Sequence, residues 1–164
     1  MKVTSFIKQK SHRNKISNIS NNIVCEEESF MKISGKSSCP CGSKKRYKNC
    51  CEIFHRGKLP KDALLLMRSR YCAYAIGLTN YIISTTISTS KEFQNPNWEN
   101  EIRLFSESTK FLGVTILNKS LGDIESYVTF RANLIANKQD ISFTEKSRFL
   151  KIDKKWFYES GDIL

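Results

Sequence analysis

The chain has 164 residues, of which 40% are hydrophobic and 26% charged, so it can bury the core of one mid-sized domain. No apolar run approaches the roughly 18 residues that a helix needs to cross a bilayer, so no membrane partner is expected. The formal net charge is +11, and residues 1–60 hold most of it, with thirteen basic against four acidic residues. This asymmetry indicates an acidic partner for the N-terminal part, such as a protein face, a ribosome or a nucleic acid, unless it is only a solvated basic tail.

The N-terminal residues 1–37 are rich in lysine, serine and asparagine and show no sustained hydrophobic period, which predicts a disordered basic extension. No apolar segment follows the basic N-terminus, so we expect no secretory signal and a cytoplasmic, reducing location. The lack of acids before Glu26 is also typical of transit peptides, which leaves import into an organelle as an alternative. Met31 is a candidate second start of translation.

Residues 38–57 hold four of the six cysteines, in two close pairs separated by a short loop. The predicted metal ligands are Cys39, Cys41, Cys50 and Cys51. Four thiolates complete the tetrahedron that structural zinc requires, so the predicted site has no open position for catalysis. Disulfides are the alternative, but a reducing compartment disfavours them. His55 in place of Cys51 is a second alternative, and Cys72 is predicted to be a small buried side chain outside the site.

The loop between the cysteine pairs is strongly basic. Its cations are Lys44, Lys45, Arg46 and Lys48. Their charge should lower the pKa of the thiols and favour metal binding, and Tyr47 is predicted to pack over the site. We predict that the four cations contact a protein or ribosomal partner. Nucleic acid is a weaker alternative, because Tyr47 is the only aromatic residue among them that could stack on a base.

Helices are predicted after a short linker that ends near Pro60. Pro60 and Asp62 mark the start of the first helix, and Gly77 marks its end. The apolar stripe of this helix consists of Leu64, Arg68, Tyr71 and Ala75. Two further helices are predicted over residues 79–86 and 98–108.

Strands are predicted in the rest of the chain. Apolar and polar residues alternate in four segments, which are residues 111–117, 124–132, 143–149 and 156–158. Turn signals separate them at residues 121–123, 137–140 and 153–155. Helices followed by an antiparallel meander predict an α+β domain over residues 60–164, with the helices packed on one face of a curved sheet.

Two charged residues are predicted to point into this domain. Arg68 lies in the apolar stripe of the first helix, and Glu145 shares a strand face with two phenylalanines. Burying either charge alone is costly, so we predict an Arg68–Glu145 pair with Tyr71 or Ser147 as a hydrogen-bond partner. Such a pair either fixes the first helix on the sheet or forms the polar floor of a pocket, in which Glu145 acts as an acid or base. No histidine lies in the predicted domain, which weakens histidine-based catalysis.

The cysteine motif, Cys-Pro-Cys-Gly-Ser and then Arg-Tyr-Lys-Asn-Cys-Cys, resembles the SEC-C motif, the zinc-binding tail of the SecA translocase that also occurs in other bacterial proteins. Residues 63–74, 145–149 and 156–161 resemble the YchJ family. The resemblance covers about residues 39–161 and implies a SEC-C zinc motif followed by a domain with the nuclear transport factor 2 (cystatin-like) fold. It places the zinc ligands at the four cysteines and implies no catalytic residue. The N-terminal extension departs from the family pattern.

These features favour a zinc-binding adaptor over an enzyme. In this interpretation the zinc motif binds a protein or ribosomal partner, and the α+β domain has a docking or regulatory role. The alternative is a small-molecule-binding or enzymatic cone-shaped domain. Its polar pocket would consist of Arg68, Tyr71, Glu145 and Ser147.

Overall fold

A short cysteine-rich module comes first in the computed structural model, which describes residues 33–164. The candidate start at Met31 therefore lies outside the described residues, and so does most of the segment 1–37 for which disorder is predicted. The module contains a β-bridge between Ser38 and Arg46, a 3-10 turn at Tyr47–Asn49 and the four-residue helix α1 (Glu52–His55). We call residues 38–57 the metal module.

Three longer helices follow the module. They are α2 (Ala63–Ala75), α3 (Thr79–Ser84) and α4 (Trp98–Ser108). The side chain of Asp62 caps α2 by accepting a hydrogen bond from the Leu65 amide at 2.8 Å, so the helix begins at Ala63 instead of at Pro60. No helix among residues 33–164 is long and apolar enough to cross a membrane.

Helix α2 is buried on most of its surface, because it packs between the sheet, the other helices and the metal module. Ten of its thirteen residues are buried, including polar Ser69 and Arg70 as well as Tyr71 and Tyr74. An apolar stripe therefore does not identify the side of α2 that faces the sheet.

The sheet is an antiparallel meander, as predicted. Its strands are β1 (Thr109–Leu121), β2 (Glu125–Ala136), β3 (Gln139–Asp140), β4 (Phe143–Ile152) and β5 (Lys155–Ile163). The strand order is β1-β2-β4-β5, and the short β3 pairs with β2 within the predicted turn at residues 137–140. The inner face alternates regularly along β2, where Val128, Phe130 and Leu134 are fully buried.

Bulges curve the first strand. The register of β1 against β2 shifts between Phe111 and Gly113 and again between Ile116 and Asn118. The inserted residues, Leu112 and Leu117, are 53% and 54% exposed. A bulge bends its strand and increases the local twist, so β1 wraps around the helices that cover the inner face.

Candidate metal centre

The structure brings the four predicted cysteines of the metal module together. The sulfurs of Cys39, Cys41, Cys50 and Cys51 all lie within 4.8 Å of one another. Cys41 Sγ lies 3.5 Å from Cys50 Sγ, which lies 3.9 Å from Cys51 Sγ. Around a tetrahedral zinc with Zn–S bonds of ~2.3 Å, neighbouring sulfurs are separated by about 3.8 Å. The spacing therefore fits one ion held by four thiolates.

Local backbone geometry positions the first cysteine pair, Cys39 and Cys41. The Cys39 amide donates to the Lys45 carbonyl at 2.8 Å, which closes the loop over the centre. Gly42 has a φ of 71°, and a Cβ at this position would lie only 2.6 Å from the Val114 carbonyl of β1. Glycine is therefore required for both the turn and the close contact between the module and the sheet.

The titration of the clustered thiols favours a bound cation. Hydrogen bonds, first from Cys41 and then from Cys51, lower the pKa of Cys39. The same hydrogen bond with Cys39 raises the pKa of Cys41 to about 11. One thiolate is thus stabilised at the expense of its neighbours. A divalent ion supplies the positive charge that allows all four thiols to ionise.

A fifth cysteine, Cys72 of α2, packs against the centre. Its sulfur is fully buried and lies 3.8 Å from Cys39 Sγ, but it is not among the four mutually close sulfurs. The sequence predicted the burial of Cys72 but not its contact with the module. That contact brings together residues 33 positions apart, so no local motif could indicate it.

His55 is not available as a ligand, so the alternative that exchanged it for Cys51 is wrong. One ring nitrogen, Nδ1, lies 2.9 Å from the Tyr47 hydroxyl, and Nε2 lies 3.0 Å from the Ser69 carbonyl. Because a carbonyl can only accept, Nε2 carries the proton and Nδ1 accepts from Tyr47. Tyr47 is buried and packs with the cysteines, as predicted.

Burial lowers the pKa of His55, and we expect an NMR titration of its ring to give a value below the usual 6.5. The unfolded chain then binds this proton more readily than the folded one. The resulting contribution to stability is full above about pH 6.5 and is lost as the pH falls towards the folded-state pKa. The variant His55→Gln should lack this part of the pH dependence. A ring that titrates at or above 6.5 would contradict the buried, neutral state.

Arg68 lies at the metal module and not in the domain interior. Its Nη1 donates to the Cys41 carbonyl, and its own carbonyl lies 3.7 Å from Cys51 Sγ. No ion pair among residues 33–164 joins Arg68 to Glu145. The predicted Arg68–Glu145 pair is therefore wrong, because α2 is enclosed on several sides and the side that carries Arg68 faces the module.

Comparisons with known proteins identify both parts of the chain. Residues 62–161 match the family model described as YchJ, middle NTF2-like domain, and residues 36–53 match the SEC-C motif. The chain belongs to the YchJ family. The predicted family, and the fold class of a SEC-C motif followed by a domain like nuclear transport factor 2, are confirmed.

Relatives of this YchJ chain are bacterial. A UPF0225 protein of Haemophilus influenzae is 35% identical over 123 residues, which cover 74% of each chain. A UPF0225 protein of Bordetella parapertussis is 31% identical over 134 residues, which cover 79% of this chain and 96% of the relative.

Two solved structures have the same fold. A SEC-C motif containing protein from Rhodopseudomonas palustris superposes with a TM-score of 0.70 at 29% identity, covering 78% of this chain and 99% of the other. Another, from Psychrobacter arcticus, gives 0.67 at 20% identity, covering 79% and 84%. The second likeness shows the fold alone.

The buried arginine of the YchJ domain is Arg70, which the sequence analysis missed. It is 2% exposed, and its Nη1 donates to the Ile82 carbonyl at 2.8 Å, to Thr85 Oγ1 at 2.7 Å and to Thr86 Oγ1 at 3.1 Å. The guanidinium carbon lies 4.6 Å from the centroid of the Tyr158 ring. Arg70 thus joins α2, α3 and β5 in the interior of the YchJ domain.

Glu145 is fully buried in the YchJ domain, as predicted, and Ser147 Oγ donates to its Oε1 at 2.5 Å. Tyr71, the other predicted partner, instead accepts from the Gly113 amide at 2.9 Å. A Cβ on Gly161 would lie 2.5 Å from Glu145 Oε1 and 2.9 Å from the Tyr158 hydroxyl. Not even a methyl group fits here, so side chains fill this part of the interior.

A second buried carboxylate adds to the charge near Tyr158. Glu92 is 5% exposed, in the segment between α3 and α4. Burial first, and then the charges of Glu145 and Glu92, raise the pKa of Tyr158, while Arg70 opposes the rise. Arg70 is therefore a cation that opposes the field of these two carboxylates at the Tyr158 hydroxyl.

Proposed function

We propose that this protein is a non-enzymatic, zinc-binding adaptor of the cytoplasm, whose metal module binds an acidic surface of a protein or ribosomal partner. The observation that carries the proposal is the closed four-sulfur cluster beside an exposed basic loop. Cys39, Cys41, Cys50 and Cys51 would hold the zinc. When bound, zinc offsets half of the thiolate charge and fixes the loop, and four ligands leave no position for a substrate.

The basic loop is the most strongly charged feature of the module. We define it as Lys44, Lys45, Arg46 and Lys48, all of which are exposed. Within residues 33–164 none of the four forms an ion pair. Exposed cations without counter-charges attract an acidic partner and lose that attraction at high salt.

The contacts of Arg68 and Glu145 do not support the pocket on which the alternative of a small-molecule-binding or enzymatic domain depends. Both residues would have to share that pocket, but Arg68 contacts the metal module. The carboxyl group of Glu145 packs against Gly161 where a methyl group would not fit.

The test removes the charge of the basic loop while keeping the fold. Lys44 has a φ of 61°, so it is replaced by asparagine, and the other three are replaced by alanine. The matched control removes as many exposed cations elsewhere, at Lys91, Lys110, Lys119 and Arg131. We expect the loop variant to lose salt-sensitive capture of protein partners from lysate and to lose co-sedimentation with purified ribosomes. The control variant should keep each of these interactions that the wild type shows. Equal binding by both variants would overturn the proposal.

A further inference from the structure

A depression of about 370 Å³ lies between the metal module and α2, next to the basic loop. Its apolar lining comes from Ile53 and Phe54 of α1 and from Leu65 of α2. Lys45 and Arg68 line it as well, one from the basic loop and the other from α2. The depression therefore combines an apolar floor with cations contributed by two separate elements.

Among residues 33–164 the cations of this depression have no carboxylate partner, and the anions beside them are the metal-binding thiolates of Cys50 and Cys51 in its lining. No carboxylate is among the lining residues. Arg68 is half-buried, and the one hydrogen bond of its side chain within residues 33–164 joins Nη1 to the Cys41 carbonyl. The remaining donors of its guanidinium group have no partner there. A half-buried arginine without a carboxylate is a ready receptor for one, since its planar fork matches carboxylate geometry.

The zinc thiolates do not offset all the positive charge of the basic loop and Arg68 together. Four thiolates around a divalent ion carry a formal charge of −2. The basic loop alone supplies four cations, and Arg68 adds a fifth. Arg68 also directs its hydrogen bond to a carbonyl and not to a sulfur. Positive charge remains for a ligand.

We propose that this depression binds an acidic peptide segment of the partner. An apolar side chain of the segment enters between Ile53, Phe54 and Leu65, and its flanking carboxylates pair with Lys45 and Arg68. The proposal rests on the proposed function and narrows its acidic partner to a protein. The floor favours a peptide over a nucleic acid, because Phe54 is 7% exposed and offers no open ring for base stacking.

The test is fluorescence anisotropy with a labelled peptide in which glutamates flank a single leucine, added to the zinc-loaded full chain. One control peptide has serine in place of the leucine, and another has glutamines in place of the glutamates. The wild type should bind the first peptide more tightly than either control. Arg68→Gln should weaken its binding about ten- to a hundredfold, the usual loss for one charged hydrogen bond. Leu65→Ser should abolish the preference for leucine over serine.

Further variants keep the outcomes separable. Arg56→Gln removes an exposed arginine that directly follows α1 and pairs with Glu52 outside the depression, and it should bind the peptide like the wild type. Arg68→Lys keeps the charge without the fork and should bind with intermediate affinity, which guards against loss of fold in Arg68→Gln. Zinc content is measured for every variant.

Two results overturn the inference. In the first, Arg68→Gln and Leu65→Ser bind the peptide like the wild type. In the second, the wild type binds a single-stranded oligonucleotide but does not distinguish the three peptides. In either case, loss of partner capture by the loop variant would leave the proposed function standing, and unchanged capture would remove both.

Discussion

Replacing Cys41 with serine is expected to abolish zinc binding and to unfold residues 38–57, while the domain from Asp62 onward stays folded. Cys41 is fully buried, with its sulfur 3.5 Å from Cys50 Sγ, and a serine hydroxyl does not ionise at neutral pH to replace the thiolate as a ligand. Little other than cysteines, Tyr47 and Phe54 is buried in the module. Small modules of this kind owe their folding to the metal, with apparent binding free energies of about 10–16 kcal/mol at pH 7. Metal analysis, limited proteolysis and amide NMR spectra check the three parts of this result.

The matched control for this experiment is Cys72→Ala. Cys72 Sγ lies 3.8 Å from Cys39 Sγ but outside the group of four, so this variant should keep the zinc and lose only packing between module and α2. Cys50→Ser should behave like Cys41→Ser, although Cys50 is the most exposed of the four. The assignment of the ligands would be contradicted if Cys72→Ala released the zinc and Cys50→Ser retained it.

Arg70→Gln is expected to destabilise the domain by about 3 kcal/mol, the upper range for a hydrogen bond to a charged group, because it leaves buried acceptors without their donor. The shorter amide cannot reach the Ile82 carbonyl, Thr85 and Thr86 together, and the positive charge that opposes the field of the carboxylates at Tyr158 is lost. Denaturant unfolding of the zinc-saturated protein measures the loss.

Arg68→Gln is the natural comparison, since it makes the same chemical change two residues away. It removes a single hydrogen bond to the Cys41 carbonyl, which should cost about 1 kcal/mol. A loss from Arg68→Gln as large as that from Arg70→Gln would contradict the placement of the two side chains. This pair of variants therefore tests which arginine belongs to the interior.

The fold could be predicted largely from the sequence, because one face of an antiparallel sheet is buried and polarity then alternates along each strand. The inner residues Val128, Phe130, Phe143 and Phe149 follow this rule. Strand β1 runs on to Leu121, beyond its predicted end at residue 117. Its bulges at Leu112 and Leu117 shift the alternation, so the pattern alone could not follow it.

The candidate site contains local contacts, which the sequence predicts, and distant contacts, which it does not. The four cysteines lie close together in the sequence, so their spacing alone predicts the cluster. The arginines of α2 could not be separated, because the helix is covered both by the sheet and by the metal module. The role of His55 depends on the distant carbonyl of Ser69, and the packing of Cys72 depends on Cys39. These contacts follow only from the tertiary structure.

Three contacts join the metal module to little more than one turn of α2. The Cys41 carbonyl meets Arg68, His55 meets Ser69, and Cys39 meets Cys72. Contacts at three separate points prevent one rigid body from rotating against another. The module therefore does not move independently of the YchJ domain, and residues 58–61, which connect the two, do not act as a flexible hinge. A partner bound to the module therefore has one fixed orientation relative to the YchJ domain. A ternary complex that uses both parts must be compatible with that orientation.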